Sequence, residues 1–255
     1  MAQKELKEFI DKAGQLYLSH LSLDCVVFGF HDSQLKVLLL KMKNADRWSL
    51  PGGFVKPEES MESAAIRVLK ERTGLERVFL RQFHVFSDPG RSDNEEKIAH
   101  LNAAGITVAS GHWFLQRFLS VGFYALVDLS TVTPQPDAFS DACAWWDIGE
   151  IGRLILDHSQ ILFKALEILR LQLRYQPVGY NLLPAKFTMP ELQKLYETIL
   201  GRKLDRRNFH RKILSFGILR PLKEKRQGVA HKAPQLYSFD IAKYQKALKE
   251  GLGGI

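Results

Sequence analysis

The 255-residue sequence predicts an α+β protein built as two domains in tandem. Three observations predict it. Over the first 175 residues, apolar runs of strand length alternate with stretches of helical period. The segment Gln176-Pro177-Val178-Gly179-Tyr180-Asn181-Leu182-Leu183-Pro184 then breaks both periods with two prolines and a glycine. Beyond it the charge changes character. The chain has a net charge of +8; residues 186–255 hold 16 Lys+Arg and 6 Asp+Glu, a balance of +10, whereas residues 1–185 hold 20 and 22, a balance of −2. The domains are therefore placed at 1–175 and 176–255, and a near-neutral body with a basic end points to a polyanionic partner.

Residues 5–19 read as an amphipathic helix with Leu6, Phe9, Ile10, Ala13 and Leu16/Tyr17 on one stripe. Residues 23–30 and 35–42 read as strands around the turn His31-Asp32-Ser33-Gln34. After the glycine-broken Trp48-Ser49-Leu50-Pro51-Gly52-Gly53-Phe54-Val55, residues 60–73 have helical spacing. Ala64, Ala65, Val68 and Leu69 face inward there, and Gly74 ends the helix. Strands follow at 78–86, 118–129 and 142–148, the last carrying Trp145 and Trp146. Residues 88–116 read as a long polar loop, a length that marks a functional or mobile segment. Residues 159–174 read as a helix lined by Ile161, Leu162, Ala165, Leu166, Ile168, Leu169 and Leu171.

Several classes are excluded. No apolar run approaches the roughly 20 residues of a membrane span, and the charged opening MAQKELKEF is not a secretory signal. Cys25 and Cys143 sit in apolar stretches with no Cys/His cluster nearby, so neither a disulfide framework, a metal site nor a cofactor is indicated, and a cytoplasmic protein is the expectation.

In the tail, Thr188 and Glu191 have the spacing of a capping box ahead of the stripe Leu192, Leu195, Tyr196, Ile199 and Leu200, with Pro190 in the first turn and Gly201 at the end. Asp205 is the expected N-cap of a second helix with Phe209, Ile213 and Leu214 inward and Arg206, Arg207, Asn208, His210, Arg211 and Lys212 outward. Two short strands, 217–222 and 235–239, enclose a basic tip with Lys223, Lys225, Arg226 and Lys232. Helix, turn, basic helix and basic hairpin are the order of a winged helix-turn-helix. Its second helix reads base edges in the major groove, and its hairpin touches phosphates or the minor groove of double-stranded DNA.

The stretch from Gly53 through Glu59, Arg67, Leu69, Glu71, Gly74 and Leu75 resembles the Nudix box, with spacing in register throughout and Trp48-Ser49-Leu50-Pro51-Gly52-Gly53 as a similar lead-in. The resemblance implies a Nudix α/β/α sandwich. In the family's enzymes three carboxylates on one helix face hold Mg²⁺ or Mn²⁺ against a pyrophosphate. Here those positions are Val68, Glu71 and Arg72, so the box (Gly53, Glu59, Arg67, Glu71) reads as a vestigial scaffold, and hydrolysis is not expected. By spacing, Glu71 pairs with Arg67. The alternative is an Mg-dependent hydrolase of a nucleoside diphosphate derivative such as ADP-ribose.

Further segments are similar to the Nudix-related transcriptional regulators: Phe86-Ser87-Asp88-Pro89-Gly90-Arg91, Ser120–Leu126, Leu156-Asp157-His158, the run from Tyr175 to Thr188, and Leu192 to Lys212. That family joins a Nudix sensor to a winged helix and acts as a homodimer on one operator. Some of its members resemble ADP-ribose-sensing regulators of NAD metabolism, others regulators of arabinose and related sugar catabolism. By this resemblance a sugar or ADP-ribose-like effector occupies the Nudix cleft, with Lys41, Trp48, Lys56, Arg67, Asp88, Arg91 and Arg117 as candidate contacts. Each has a structural alternative: Trp48 as packing, Arg67 as partner of Glu59 or Glu71, Asp88 and Arg91 as shapers of the Pro-Gly turn. Of Trp145 and Trp146, one is assigned to the core and the other to the cleft or dimer contact; His158 is assigned a structural role. The segment after Asp93 is longer than the family's short turn.

Overall fold

The computed structural model describes residues 2–43, 45–76, 78, 80–91, 94–129, 133–225 and 234–251. The chain divides into two compact units. One comprises Met1–Gly29, Lys36–Leu126 and Val132–Ala165; the other comprises Phe30–Leu35, Val127–Thr131 and Leu166–Ile255.

The first elements are helix α1 (Ala2–Leu16) and strands β1 (Leu21–His31), β2 (Gln34–Met42), β3 (Trp48–Ser49) and β4 (Gly52–Phe54). Helix α2 (Met61–Thr73), β5 (Leu80–Phe86), α3 (Asn94–Ala103), β6 (Leu119–Asp128), β7 (Ser140–Asp147) and α4 (His158–Gln172) follow. The seven strands form one sheet in the order β3-β2-β1-β6-β5, with β4 paired to β1 and β7 to β2. β1 and β2 turn through Asp32 and Ser33, both with positive φ (46° and 65°), as a tight two-residue hairpin requires. β1 is buried from Leu23 to Phe28, apolar apart from Asp24, as in a strand covered on both faces.

α2 is set by its ends. The Ser60 side chain accepts from the Ser63 amide, and Gly74 closes the helix in the left-handed region at φ 72°. Its inward face is Ala64, Ala65, Val68 and Leu69, as the spacing predicts. The segment read as a loop at 88–116 is not all loop. It contains α3, because Leu101, Ala104 and Ile106 pack with Ile10 of α1 in a buried cluster that also takes Leu6, Phe9, Val108 and Phe114. Leu16 and Leu171, placed inward by periodicity, are 51% and 42% exposed.

The second unit contains β8 (Phe187–Thr188), α5 (Met189–Leu200), α6 (Arg206–Ser215), β9 (Leu219–Lys225), β10 (Gln235–Phe239) and α7 (Ile241–Glu250), the last unforeseen in the sequence. Its three strands are ordered β8-β10-β9. The capping box forms as read: the Glu191 amide donates to Thr188 Oγ1, and Glu191 Oε2 accepts from the Thr188 amide at 2.6 Å. The turn between α5 and α6 is fixed by Glu197, which accepts from the Leu204 amide at 2.8 Å, and by Gln193, which donates to the Leu204 carbonyl at 3.0 Å. That amide, first among several partners, holds the Glu197 carboxyl below its ordinary range. Asp205 caps α6, and the rings of Tyr196 and Phe209 meet at 5.3 Å to lock the pair. Leu214, expected inward, is 42% exposed; Ile213 alone of the two faces the core.

Candidate functional site

The box residues build a tight junction between β4 and α2. Val68 is 2% exposed and so close to Gly53 that a Cβ there would lie 2.7 Å from Val68 Cγ2. Arg67 donates to Glu59 through Nε (2.9 Å), to Glu71 through Nη1 (3.0 Å) and to the Phe54 carbonyl through Nη2 (2.8 Å). The Arg67 hydrogen bond, above all, holds Glu59 below the usual carboxylate range. Arg72 donates to the Gly52 carbonyl (3.1 Å) and to Asp137 (2.5 Å), its guanidinium lying over the Phe139 ring.

These residues do not fit the divalent metal that the fold's enzymes use. A hard cation needs several convergent oxygens and net negative charge. Of the three helix positions, one is a buried isopropyl group, one is a guanidinium, and Glu71 is turned to Arg67. Among the described residues no group of three or more His, Cys, Asp or Glu could hold a metal. The buried Cys25 and half-buried Cys143 are poor nucleophiles, since burial raises the Cys25 thiol and pushes that of Cys143 up to about 12.

A cavity of about 450 Å³ opens within the first unit, lined by residues of α1, β1, β2, the Gly52-Gly53 segment, α3 and the start of α4. Aromatic rings of Phe9, Phe54, Phe114, Phe118 and Phe139 make much of its wall. Its polar groups are mostly tied to each other. Arg91 is buried and holds Asp157 with Nε and Nη2 at 2.9 and 3.1 Å. Asp24 accepts from Ser120 Oγ at 2.5 Å and lies 3.5 Å from His158 Nε2, while His158 Nδ1 accepts from the Leu50 amide at 2.9 Å. His158 is thus part of the architecture, as its position suggested. Burial raises the Asp157 carboxyl, against the pull of Arg91. Arg47 pairs with Glu96 at 2.7 Å.

Of the seven cleft candidates only Arg91 lines this cavity. Lys41 is turned to the Asp46 carbonyl. Trp48 meets Trp146 edge-on at 5.1 Å, a packing arrangement. Lys56 is exposed, and Arg67 serves the box. Asp88 caps the turn by accepting from the Gly90 amide at 2.7 Å, and Arg117 donates to the Ser87 carbonyl at 2.5 Å. Trp145 and Trp146 are both half-buried on β7, and neither lines the cavity. Sequence reasoning passed over Asp24, although one carboxylate inside an otherwise apolar strand was a readable signal. It also passed over Arg47, between β2 and β3, and over Glu96 and Lys97, which the folding of α3 brings to the cavity.

On α6, Arg206, Arg207, Asn208, His210, Arg211 and Lys212 are all exposed, while Phe209 and Ile213 are buried. Arg211 donates to Asn208 Oδ1 at 3.0 Å, so these two side chains are held together. Lys223 is exposed on β9 and Lys225 closes that strand. Arg226 and Lys232 lie outside the described residues. No helix among the described residues is long and apolar enough to cross a membrane.

Residues 18–167, more than half of the chain, match the NUDIX domain, and residues 179–239 match the NrtR DNA-binding winged helix domain. The chain is 27% identical over 232 residues to the ADPR responsive transcriptional repressor NtrR of Acinetobacter baylyi, covering 88% of this chain and 83% of that protein. The crystal structure of Shewanella oneidensis NrtR is similar with a TM-score of 0.68 at 27% identity, covering 89% of this chain and 96% of that one. The same protein complexed with a 27mer DNA gives a TM-score of 0.65 at 25% identity, covering 88% and 95%. A Nudix domain that keeps only Glu71 of the three carboxylate positions on its metal helix, continued into a winged helix, places the chain in the Nudix family, among the Nudix-related transcriptional regulators.

Proposed function

We propose that this chain is an effector-responsive repressor that binds operator DNA as a homodimer and does not hydrolyse diphosphates. Residues 1–175 serve as the sensor and 176–255 as the DNA-binding domain. α6 reads base edges with Arg207 and Asn208, while Arg206, His210, Arg211 and Lys212, with Lys223 and Lys225 of the hairpin, meet phosphates. The effector occupies the aromatic-walled cavity. ADP-ribose is the first choice, because the Acinetobacter relative is described as ADPR-responsive; a sugar effector is the second. To act, it must bind the DNA-competent and DNA-incompetent arrangements with different affinity.

The observation that carries the reading is the pairing of a dismantled metal helix, Val68 and the Asp137-bound Arg72, with an exposed basic helix. The test is fluorescence anisotropy of the full chain on its own upstream DNA, with and without ADP-ribose or L-arabinose, beside a turnover assay on ADP-ribose with Mg²⁺ and Mn²⁺. Salt-sensitive binding that prefers upstream over random DNA, is released by one effector and shows no turnover is the expected result. Equal binding to both DNAs refutes the regulator. Metal-dependent turnover refutes the sensor in favour of a hydrolase.

A further inference from the structure

The cavity has an uneven distribution of matched charge. Three of its arginines carry carboxylate partners: Arg47 with Glu96, Arg72 with Asp137 and Arg91 with Asp157. Lys97 of α3 does not; among the described residues its ammonium donates to two carbonyls, Phe114 at 3.3 Å and Gln116 at 3.4 Å. An ammonium has three N–H groups and no use for a neutral partner that a charged one would not serve better. Its Nζ sits 5.9 and 5.6 Å from the Phe114 and Phe118 rings. Arg91 Nη1 donates to the Phe118 carbonyl at 3.0 Å, so two cations border the same short segment. Burial first, and then Arg91, push the Lys97 amine down to about 8. An anion arriving beside the amine offsets both effects by favouring its charged form.

We propose that the anionic group of the effector docks on Lys97, at the α3 wall of the cavity, and not on the former metal face of α2. The inference rests on the cavity being the effector site. The ligand it takes is a metabolite with a planar apolar ring system for the phenylalanines and a phosphate or carboxylate for Lys97, held without a metal. α2 cannot be that dock: its Arg72 is engaged by Asp137 and the Gly52 carbonyl, and its Val68 is closed off against Gly53. The selecting wall is therefore α3, in the segment that is longer here than in the family pattern.

The other ionisable groups that line the cavity are Asp24 of β1, Asp46, Arg47, Arg72 of α2, Arg91, Glu96 and His100 of α3, and His158 of α4. A comparison of Lys97→Arg with wild type separates the amine from all of them, since a guanidinium stays charged.

The test is calorimetric titration of the full chain with adenosine, AMP and ADP-ribose, on wild type, Lys97→Met, Lys97→Arg and Glu71→Gln. AMP and ADP-ribose bind wild type more tightly than adenosine does, and Lys97→Met weakens the two phosphate-bearing probes by roughly tenfold to a hundredfold while sparing adenosine. Wild-type affinity for AMP falls above pH about 8, where the amine loses its proton, and that of Lys97→Arg does not. Glu71→Gln changes none of the three. Should Lys97→Met fail to fold, the pH comparison of wild type with Lys97→Arg decides. If ADP-ribose releases operator from wild type and from Lys97→Met equally, the Lys97 assignment is overturned and the regulator stands. If wild type binds none of the probes and its operator complex ignores them, the Lys97 dock and ADP-ribose as effector both fall.

Discussion

Replacing Gly53 by alanine tests why the box survives without its metal. The added methyl would stand 2.7 Å from Val68 Cγ2 and 3.1 Å from Cγ1, against an ordinary carbon contact of roughly 3.5–4.0 Å. Val68 is 2% exposed and β-branched, so it has little room to turn away. Overpacking of this kind costs about 1–3 kcal/mol. Val68→Ala alone removes two buried methyl groups and costs about 2 kcal/mol, by loss of transfer free energy and a small cavity. In the double variant the new methyl occupies the space the old ones left. Its total cost should stay near that of Val68→Ala, about 2 kcal/mol, instead of the sum of about 4. The assay is thermal melting followed by tryptophan fluorescence. All four tryptophans, at 48, 113, 145 and 146, fall in the first unit, so the signal reports that unit. Each kcal/mol is worth about 2–4 °C for a domain of this size. An unaltered melting point for Gly53→Ala, or additive losses in the double variant, would refute the idea that the glycine is held by contact with Val68.

Thr188→Ala removes one half of the capping box and should cost about 1 kcal/mol, read as faster amide exchange in the first turn of α5 with β5 and β6 unchanged. Arg207→Ala or Asn208→Ala should lower operator binding by about 1–3 kcal/mol more than binding to random DNA. Lys212→Ala should weaken both alike, and equal losses for Arg207→Ala would reassign Arg207 to phosphate. Glu59 is held below its ordinary value by Arg67, so its contribution is present above the unfolded carboxylate range and lost as pH falls through the lowered folded value. Glu59→Gln should therefore destabilise the first unit at neutral pH and flatten its decline between pH 4.5 and the acid limit. A decline as steep as wild type would show that other carboxylates govern it.

What could be read in advance was local. Caps and turn chemistry at Gly74, Thr188, Gly201 and Asp205 depend on a few neighbours, and each appears where the spacing placed it. α3 depends on distant partners. Only Leu101 of its ten residues is buried, and the contact that stabilises it is with Ile10, about ninety residues earlier. No pattern within 94–103 could announce that. The misplaced Leu214 has a simpler cause: α6 buries only a narrow face, Phe209 and Ile213, and Leu214 lies beyond its edge. Most of the cleft candidates, Trp48, Lys56, Arg67, Asp88 and Arg91, lie in or beside the box and the Pro89-Gly90 turn in sequence. In the fold most of those side chains are used to build the motifs, and the cavity is walled by residues whose only common property is where α1, β1, α3 and α4 bring them.

A sensor built on this cavity faces an energetic demand that one contact cannot meet. Moving a two-state equilibrium from 1:99 to 99:1 needs about 5.5 kcal/mol of differential affinity, whereas a single charge-assisted hydrogen bond gives about 1.5–3. Lys97 therefore selects the ligand but cannot throw the switch alone. The remainder has to come from ring burial and from groups whose positions differ between the two states. The polar group best placed for that is the Arg91–Asp157 pair with Asp24 and His158. Arg91, Asp24 and His158 line the cavity, Asp157 directly precedes α4 and His158 opens it, and the chain of α4 from Leu166 onward lies in the second unit. Because Asp157 and Arg91 are both buried, their pairing is worth keeping only in one geometry, and losing it leaves an uncompensated buried charge. A ligand that competes for Arg91 acts on the start of that helix directly, whereas one that touches Lys97 and the rings alone would bind without consequence for DNA.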